Sequence, residues 1–152
     1  MDLVAGDARD IVLALSVDDT AAFDDPDRFV AHLPLGGGLD PTWLDLFSEA
    51  VRAVSDNEEL LDFLDARTEV EGAADTTERI VDRVDPDWIE AVASLGDDQL
   101  GALAGRWIEL LEEELGLLPR EEKPWIRDLA GGIVTFSRAA TGARDVVFAW
   151  AF

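Results

Sequence analysis

The chain contains no cysteine. That excludes disulfides, thiolate zinc sites, iron–sulfur clusters and cysteine nucleophiles together. Only one histidine is present, His32, and a lone imidazole cannot build a multi-histidine metal site. Lysine also occurs once, as Lys123. Long apolar runs are missing: the stretch from Ile11 to Val17 is far too short to span a bilayer. The opening residues, Met1 to Asp7, carry no positive segment of the kind that begins a secretory leader. These absences predict a cytoplasmic protein with no cofactor and no metal.

What is present points to a folded core. A chain of 152 residues with 48% hydrophobic residues, five Trp and seven Phe is expected to fold as one domain over residues 1–152. The charge balance is lopsided, with 34 Asp and Glu against 12 Lys and Arg, a net charge of −22. Such a field repels phosphate backbones and anionic lipid, so neither nucleic acid nor membrane is an expected partner. Adaptation to a salt-rich or high-GC host, which favours Asp, Glu and Arg over Lys, accounts for the charge. The sharper account is an acidic partner for a basic protein, or a mimic of DNA.

One pattern recurs. Asp40-Pro41-Thr42-Trp43-Leu44 and Asp85-Pro86-Asp87-Trp88-Ile89 share Asp, Pro, any residue, Trp, then an aliphatic, and Pro124-Trp125-Ile126 is a shorter variant. Asp caps the free N–H groups of a first helical turn, Pro there needs no N–H, and Trp then faces the core. These are three helix starts, too few to make a repeat architecture.

The helices follow from such caps and from apolar spacing. Asp7 starts a segment through Leu15 that reads equally as a buried strand. Asp25-Pro26 starts a short helix through His32, and Asp40-Pro41 one through about Val54 with Trp43, Phe47, Ala50 and Val54 on one stripe. Ser55 or Asp56 caps another that carries Leu60, Leu61 and Leu64. Asp85-Pro86 opens a helix to about Leu95, closed by Gly96. Asp97 caps the most regular one, with Leu100, Leu103, Trp107 and Leu110 inward and Gly116 at its end. The last runs from near Pro124 to Ala140.

Strand signals are fewer. Residues Asp145 to Phe152 are β-branched and aromatic, and Arg79 to Val84 is a weaker candidate. A lone strand leaves its backbone groups unsatisfied, so the tail must pair with Ile11–Val17, with Ile80–Val84 or with another subunit. The expected class is α+β, predominantly helical, with a small sheet that includes the C-terminal strand.

No motif carries chemistry outright. His32, with Asp24, Asp25 and Asp27 nearby, has the makings of a general base, but no serine elbow accompanies it. Its simpler role is a helix-end histidine beside the C-terminal dipole. The loop Leu35-Gly36-Gly37-Gly38-Leu39 matches neither phosphate-loop nor dinucleotide spacing, and Asp40 already occupies the following helix start. Glu109, Glu112, Glu113 and Glu114 lack the Glu-x-x-His pairs of carboxylate metal bundles. The most site-like stretch is Leu118 to Asp128, which holds Arg120, Lys123 and Arg127 beside Trp125, a local basic spot fit for an anion or a carboxylate. Its plainer reading is a helix corner whose cations offset the preceding helix end and its Glu run.

The C-terminal layout resembles the YfbM-like proteins, a bacterial family without an assigned activity. The resemblance lies in Asp85-Pro86 through Leu95, and in Phe136-Ser137-Arg138-Ala139-Ala140-Thr141-Gly142 leading to Val146-Val147-Phe148. It covers less than half the chain. The family pattern is tyrosine-rich near its middle, and this chain has no tyrosine. The resemblance implies an α+β fold and no catalytic residues. Three functions stay open: a non-enzymatic binding protein with a protein partner, an acidic neutraliser of a basic protein, and an enzyme built from carboxylates and the Arg120–Arg127 segment. Candidate binding residues are Arg120, Lys123, Trp125, Arg127 and His32.

Overall fold

A computed structural model describes residues 1–151. Five strands form one antiparallel sheet: β1 (Asp2–Gly6), β2 (Ala31–Pro34), β3 (Arg67–Glu69), β4 (Ile80–Val84) and β5 (Asp145–Trp150), in the order β2-β1-β5-β4-β3. The C-terminal strand lies at the centre. It pairs with β1, with Leu3 opposite Phe148, and with β4, with Val81 opposite Ala149. The fold is thus α+β, about 52% helix, with the tail strand in the sheet. Phe152, the last residue of the anticipated strand, lies outside the described residues.

Alternation along the central strands divides the interior in two. Leu3, Ala5, Val84, Val146 and Phe148 face one way. They pack under α2 (Thr42–Ser55), α4 (Pro86–Ala93), α5 (Leu100–Leu115) and α6 (Glu122–Ala140). Val4, Val81, Val147 and Ala149 face the other way. Their cover is smaller: α1 (Ala8–Ser16), a 3-10 turn (Thr20–Asp24) and the four-residue α3 (Ala73–Thr76).

Two helices of the larger face, α2 and α4, start at their Asp-Pro pairs. Asp40 Oδ1 accepts from the Thr42 N–H at 2.9 Å, and Asp85 Oδ1 from the Asp87 N–H at 2.9 Å, with Pro86 in the first turn. Gly116, at φ +88°, ends α5 in a conformation that L side chains rarely adopt. Leu103, Trp107 and Leu110 of α5 are buried, as are Ile126, Leu129, Ile133, Phe136 and Ala140 of α6. The Trp107 indole N–H donates to the Trp43 carbonyl at 2.9 Å, and the Phe47 ring stands edge-on to it at 5.0 Å.

Of the two readings open for the segment through Leu15, the helix started by Asp7 holds and the strand does not: one face is buried and Leu13 is exposed. Other local expectations are corrected. The stretch opened by Asp25-Pro26 is not a helix through His32. A turn follows Pro26, and residues 31–34 join the sheet edge, Val4 opposite His32. No helix follows Asp56. That residue adopts φ +53° and ends α2, while residues 57–66 form an irregular arm. Leu60 is buried, but Leu61 and Leu64 are exposed, so the three leucines do not make a helical stripe. Nonlocal polar bonds hold the arm instead: Arg52 Nη1 donates to the Leu60 carbonyl at 2.9 Å, and the Leu64 N–H to Asp45 Oδ1 at 2.8 Å. Gly96 does not close α4, which ends at Ala93 with Ser94 as its cap. Asp97 does not cap α5. It pairs with Arg138 at 2.7 Å, while Gln99 Oε1 accepts from the Gly96 N–H.

Candidate functional site

The two sequence-favoured regions lie on different elements. His32 stands on β2, not at a helix end. Its Nδ1 is 2.8 Å from Asp24 Oδ1 and its Nε2 is 2.8 Å from Asp2 Oδ1. The ring is largely buried and leans on Phe23, with centroids 5.4 Å apart. Each ring nitrogen thus has a carboxylate oxygen within hydrogen-bond distance. The polar capacity of His32 is used in tying β1, β2 and the 3-10 turn together. Neither Arg120 nor Arg127 is among its partners.

The stretch from Leu118 to Asp128 forms the corner between α5 and α6. Lys123 Nζ bonds Glu112 Oε1 at 2.8 Å, and this bond holds the Glu112 carboxyl below its usual range, with help from the Leu118 N–H. That pairing is the charge compensation expected of a helix corner. Arg120 and Arg127 behave otherwise. Nine of the twelve cations make ion pairs within the chain, and Arg9, Arg120 and Arg127 make none among the described residues. With almost three carboxylates per cation available, two unpaired arginines on one corner stand out. Apolar side chains are exposed beside them: Leu117 is 91% accessible, Leu115 53% and Trp125 41%.

Sequence reasoning missed a third region. The arm at residues 57–66 and the start of α4 enclose an open cleft of about 460 Å³. Its floor is Leu60, Leu61, Ala66 and Trp88, and its polar rim carries Glu59, Asp85 and Asp87. No Lys or Arg lines it. The floor is rigid. The Trp88 indole N–H donates to Ser48 Oγ at 2.9 Å, and its ring meets Phe63 edge-on at 5.0 Å. Asp85 is fixed as well, its own N–H bonded to the Ala66 carbonyl at 2.7 Å. The only sequence signal was the Asp-Pro-x-Trp start itself. It places two carboxylates and an indole on one helical turn, but the arm that completes the cleft is irregular.

A charged group lies close by. Arg67 Nη1 sits 3.4 Å from Asp82 Oδ2, with the guanidinium over the Phe148 ring at 4.8 Å and the Phe63 ring at 5.2 Å. Burial pushes the carboxyls of Asp45 and Asp82 up from their ordinary value, and the Arg67 charge only partly offsets this. Another cleft, of about 490 Å³, is lined by Arg9, Arg83, Glu71 and the first turn of α1, but Arg83 is already bonded to Asp145 at 2.8 Å. Among the described residues no cluster of three or more His, Asp or Glu has the form of a metal site, and no helix is long and apolar enough to cross a membrane. Comparison with protein-family models, with curated proteins and with solved structures finds no match for this chain.

Proposed function

We propose that this chain is a non-enzymatic, cytoplasmic binding protein whose partner is a basic protein, received at the cleft between the 57–66 arm and α4. The observation that carries the reading is the lining of that cleft: three carboxylates on the rim, no cation, and an indole with two leucines below. An arginine or lysine lays its aliphatic stem on apolar surface and keeps its charged head at a polar rim. A cleft of one sign with low-dielectric walls concentrates the field, and the net charge of −22 extends the attraction to longer range. The acidic-neutraliser reading therefore becomes one form of this function. The resemblance to YfbM-like proteins contributes no activity to it.

Titration calorimetry with a hexaarginine peptide tests the proposal. Replacing Glu59, Asp85 and Asp87 by Gln, Asn and Asn is expected to weaken binding about tenfold or more, a loss of about 1.4 kcal/mol per decade. Asn at position 85 keeps the helix cap. The control neutralises Asp10, Glu78 and Glu114, which are exposed, with an equal change in net charge. Equal weakening in both variants would show diffuse attraction to charge and would end the cleft reading.

A further inference from the structure

We infer that the basic partner binds as an extended segment that adds a strand to the open edge of the sheet at β3, with a side chain in the acidic cleft at one end of that strand. The inference rests on the cleft reading and gives the partner a conformation and a place. β3 is the last strand in the order β2-β1-β5-β4-β3, so one of its sides has no strand beside it. The ladder decides which backbone groups face that side. The Asp85 N–H bonds the Ala66 carbonyl at 2.7 Å, and the Val70 N–H bonds the Val81 carbonyl at 3.0 Å. In an antiparallel pair, residues bonded to the neighbour alternate with residues whose groups point away. Ala66, Thr68 and Val70 therefore bond toward β4. Arg67 and Glu69, opposite Val84 and Asp82, turn their N–H and C=O groups outward. No backbone bond outside the sheet uses those groups among the described residues. Edge strands are commonly blunted, and β2 at the opposite edge ends in Pro34, which has no N–H. β3 carries no proline, and Thr68 and Glu69 are exposed.

The charge of this edge selects a cation-rich segment. Asp65 precedes β3, Glu69 and Glu71 follow along it, all three are exposed, and none makes an ion pair among the described residues. Arg67 does not offset them at the surface. Its side chain is 9% accessible and lies over the Phe148 and Phe63 rings, beside Asp82. A recess flanks each end of the strand. Ala66 lines the cleft of about 460 Å³ whose rim carries Glu59, Asp85 and Asp87. Glu69 and Asp82 line another of about 330 Å³, where Arg79 is already bonded to Asp18 at 2.6 Å. Strand addition takes affinity from main-chain bonds and specificity from recesses that receive side chains. From Ala66 to Glu69 an extended chain covers about 10 Å at about 3.3 Å per residue, so one short segment reaches both recesses. A partner helix satisfies its own backbone groups and leaves those of Arg67 and Glu69 unused.

Amide exchange, read residue by residue by NMR with and without saturating hexaarginine, tests the inference. The Arg67 and Glu69 amides are expected to exchange quickly in the free chain and to slow about tenfold or more on binding. Amides of Ala31 to Leu33, at the opposite edge, are expected not to change. Two variants sharpen the result. Glu69→Pro removes an outward donor without breaking a β4 bond, and Glu69→Gln removes the same charge but keeps the donor. Glu69→Pro is expected to bind hexaarginine about fivefold or more weakly than Glu69→Gln, with circular dichroism checking that both are folded. Should Glu69→Pro not fold, exchange in the unaltered chain decides alone. Hexaarginine that binds while both amides stay unprotected, or equal affinity of the two folded variants, would overturn this inference and leave the basic-partner reading standing. No hexaarginine binding at all would overturn the basic-partner reading itself, and this inference with it.

Discussion

The two faces of the sheet are built on different principles. The face under α2, α4, α5 and α6 is an apolar core with interlocking aromatics: Phe47 meets Trp107 and Trp88, and Phe63 meets Trp88 and Phe148. The other face holds a smaller cluster around Phe23, Phe29 and Ile11, beneath short and irregular elements. Polar ties spanning long stretches of sequence fasten that cover: Asp2–His32–Asp24, Arg79–Asp18 at 2.6 Å, and Arg144–Asp7 at 3.2 Å. Packing is cooperative and tolerates few losses, whereas exposed ion pairs are individually weak. The larger face is therefore expected to set global stability, and the smaller one to be the first to open.

The widest break would come from the element that both faces share. β5 contributes Val146 and Phe148 to one core and Val147 and Ala149 to the other. Truncation after Arg144 removes the central strand and strips β1 and β4 of a neighbour. The expected product is unfolded or aggregated by circular dichroism and size-exclusion chromatography; a folded, soluble product would show that the sheet closes without it.

Next in size is Trp107→Ala on the larger face. It empties a fully buried position and abandons the Trp43 carbonyl, with an expected loss of about 3–5 kcal/mol in urea melts. His32→Gln on the smaller face is expected to cost less, about 1–3 kcal/mol, since it breaks a polar tie and leaves a carboxylate facing a vacated position. Hydrogen exchange sharpens the contrast: His32→Gln is expected to deprotect amides in residues 20–34 selectively, and Trp107→Ala to lower protection everywhere. Reversed patterns would invert the assignment of the two faces.

The smallest effect is at Asp45, whose carboxyl is pushed up by burial. A raised carboxyl takes a proton more readily in the folded chain than in the unfolded one. Its charge therefore weakens the fold at neutral pH, and that cost fades as pH falls through the raised value. Asp45→Asn keeps an acceptor for the Leu64 N–H and removes the charge. It is expected to stabilise by less than about 1 kcal/mol at pH 7, given solvent screening, with the advantage over wild type shrinking on acidification. Paired melts at neutral and acidic pH measure it. A variant less stable than wild type at pH 7 would show that the carboxylate charge supports the arm.

Legibility in the sequence follows the same division. Helices α2 and α4 were readable because Asp-Pro starts and an apolar period set them locally, α5 and α6 because of their apolar period, and β5 because of its branched and aromatic run. β1 was missed because Asp2-Leu3-Val4-Ala5-Gly6 is short and ordinary; it is a strand because β2 and β5 flank it. β2 was hidden by Pro26 and Asp25, which promise a helix start, while the partners of His32 lie 8 and 30 residues away. The α5–α6 corner was visible as a cluster of rare residues, the sole lysine among them. That Arg120 and Arg127 make no ion pair among the described residues, and that an arm without helical order completes an acidic cleft, emerges only in three dimensions.

The position of β5 also orders events in time. β1 is made long before its partner on one side, the strand ending at Trp150, and the Ala8 N–H waits for Asp145, 137 residues later. During synthesis at about 5–20 residues per second, the sheet cannot close until β5, which ends at Trp150, has left the ribosome. Contacts of such long range make folding slow relative to helical bundles of similar size. In that interval the helical segments can form locally while Leu3, Val4 and Ala5 still await cover. The dense negative charge then has a use before the native state exists: it keeps unfinished chains apart.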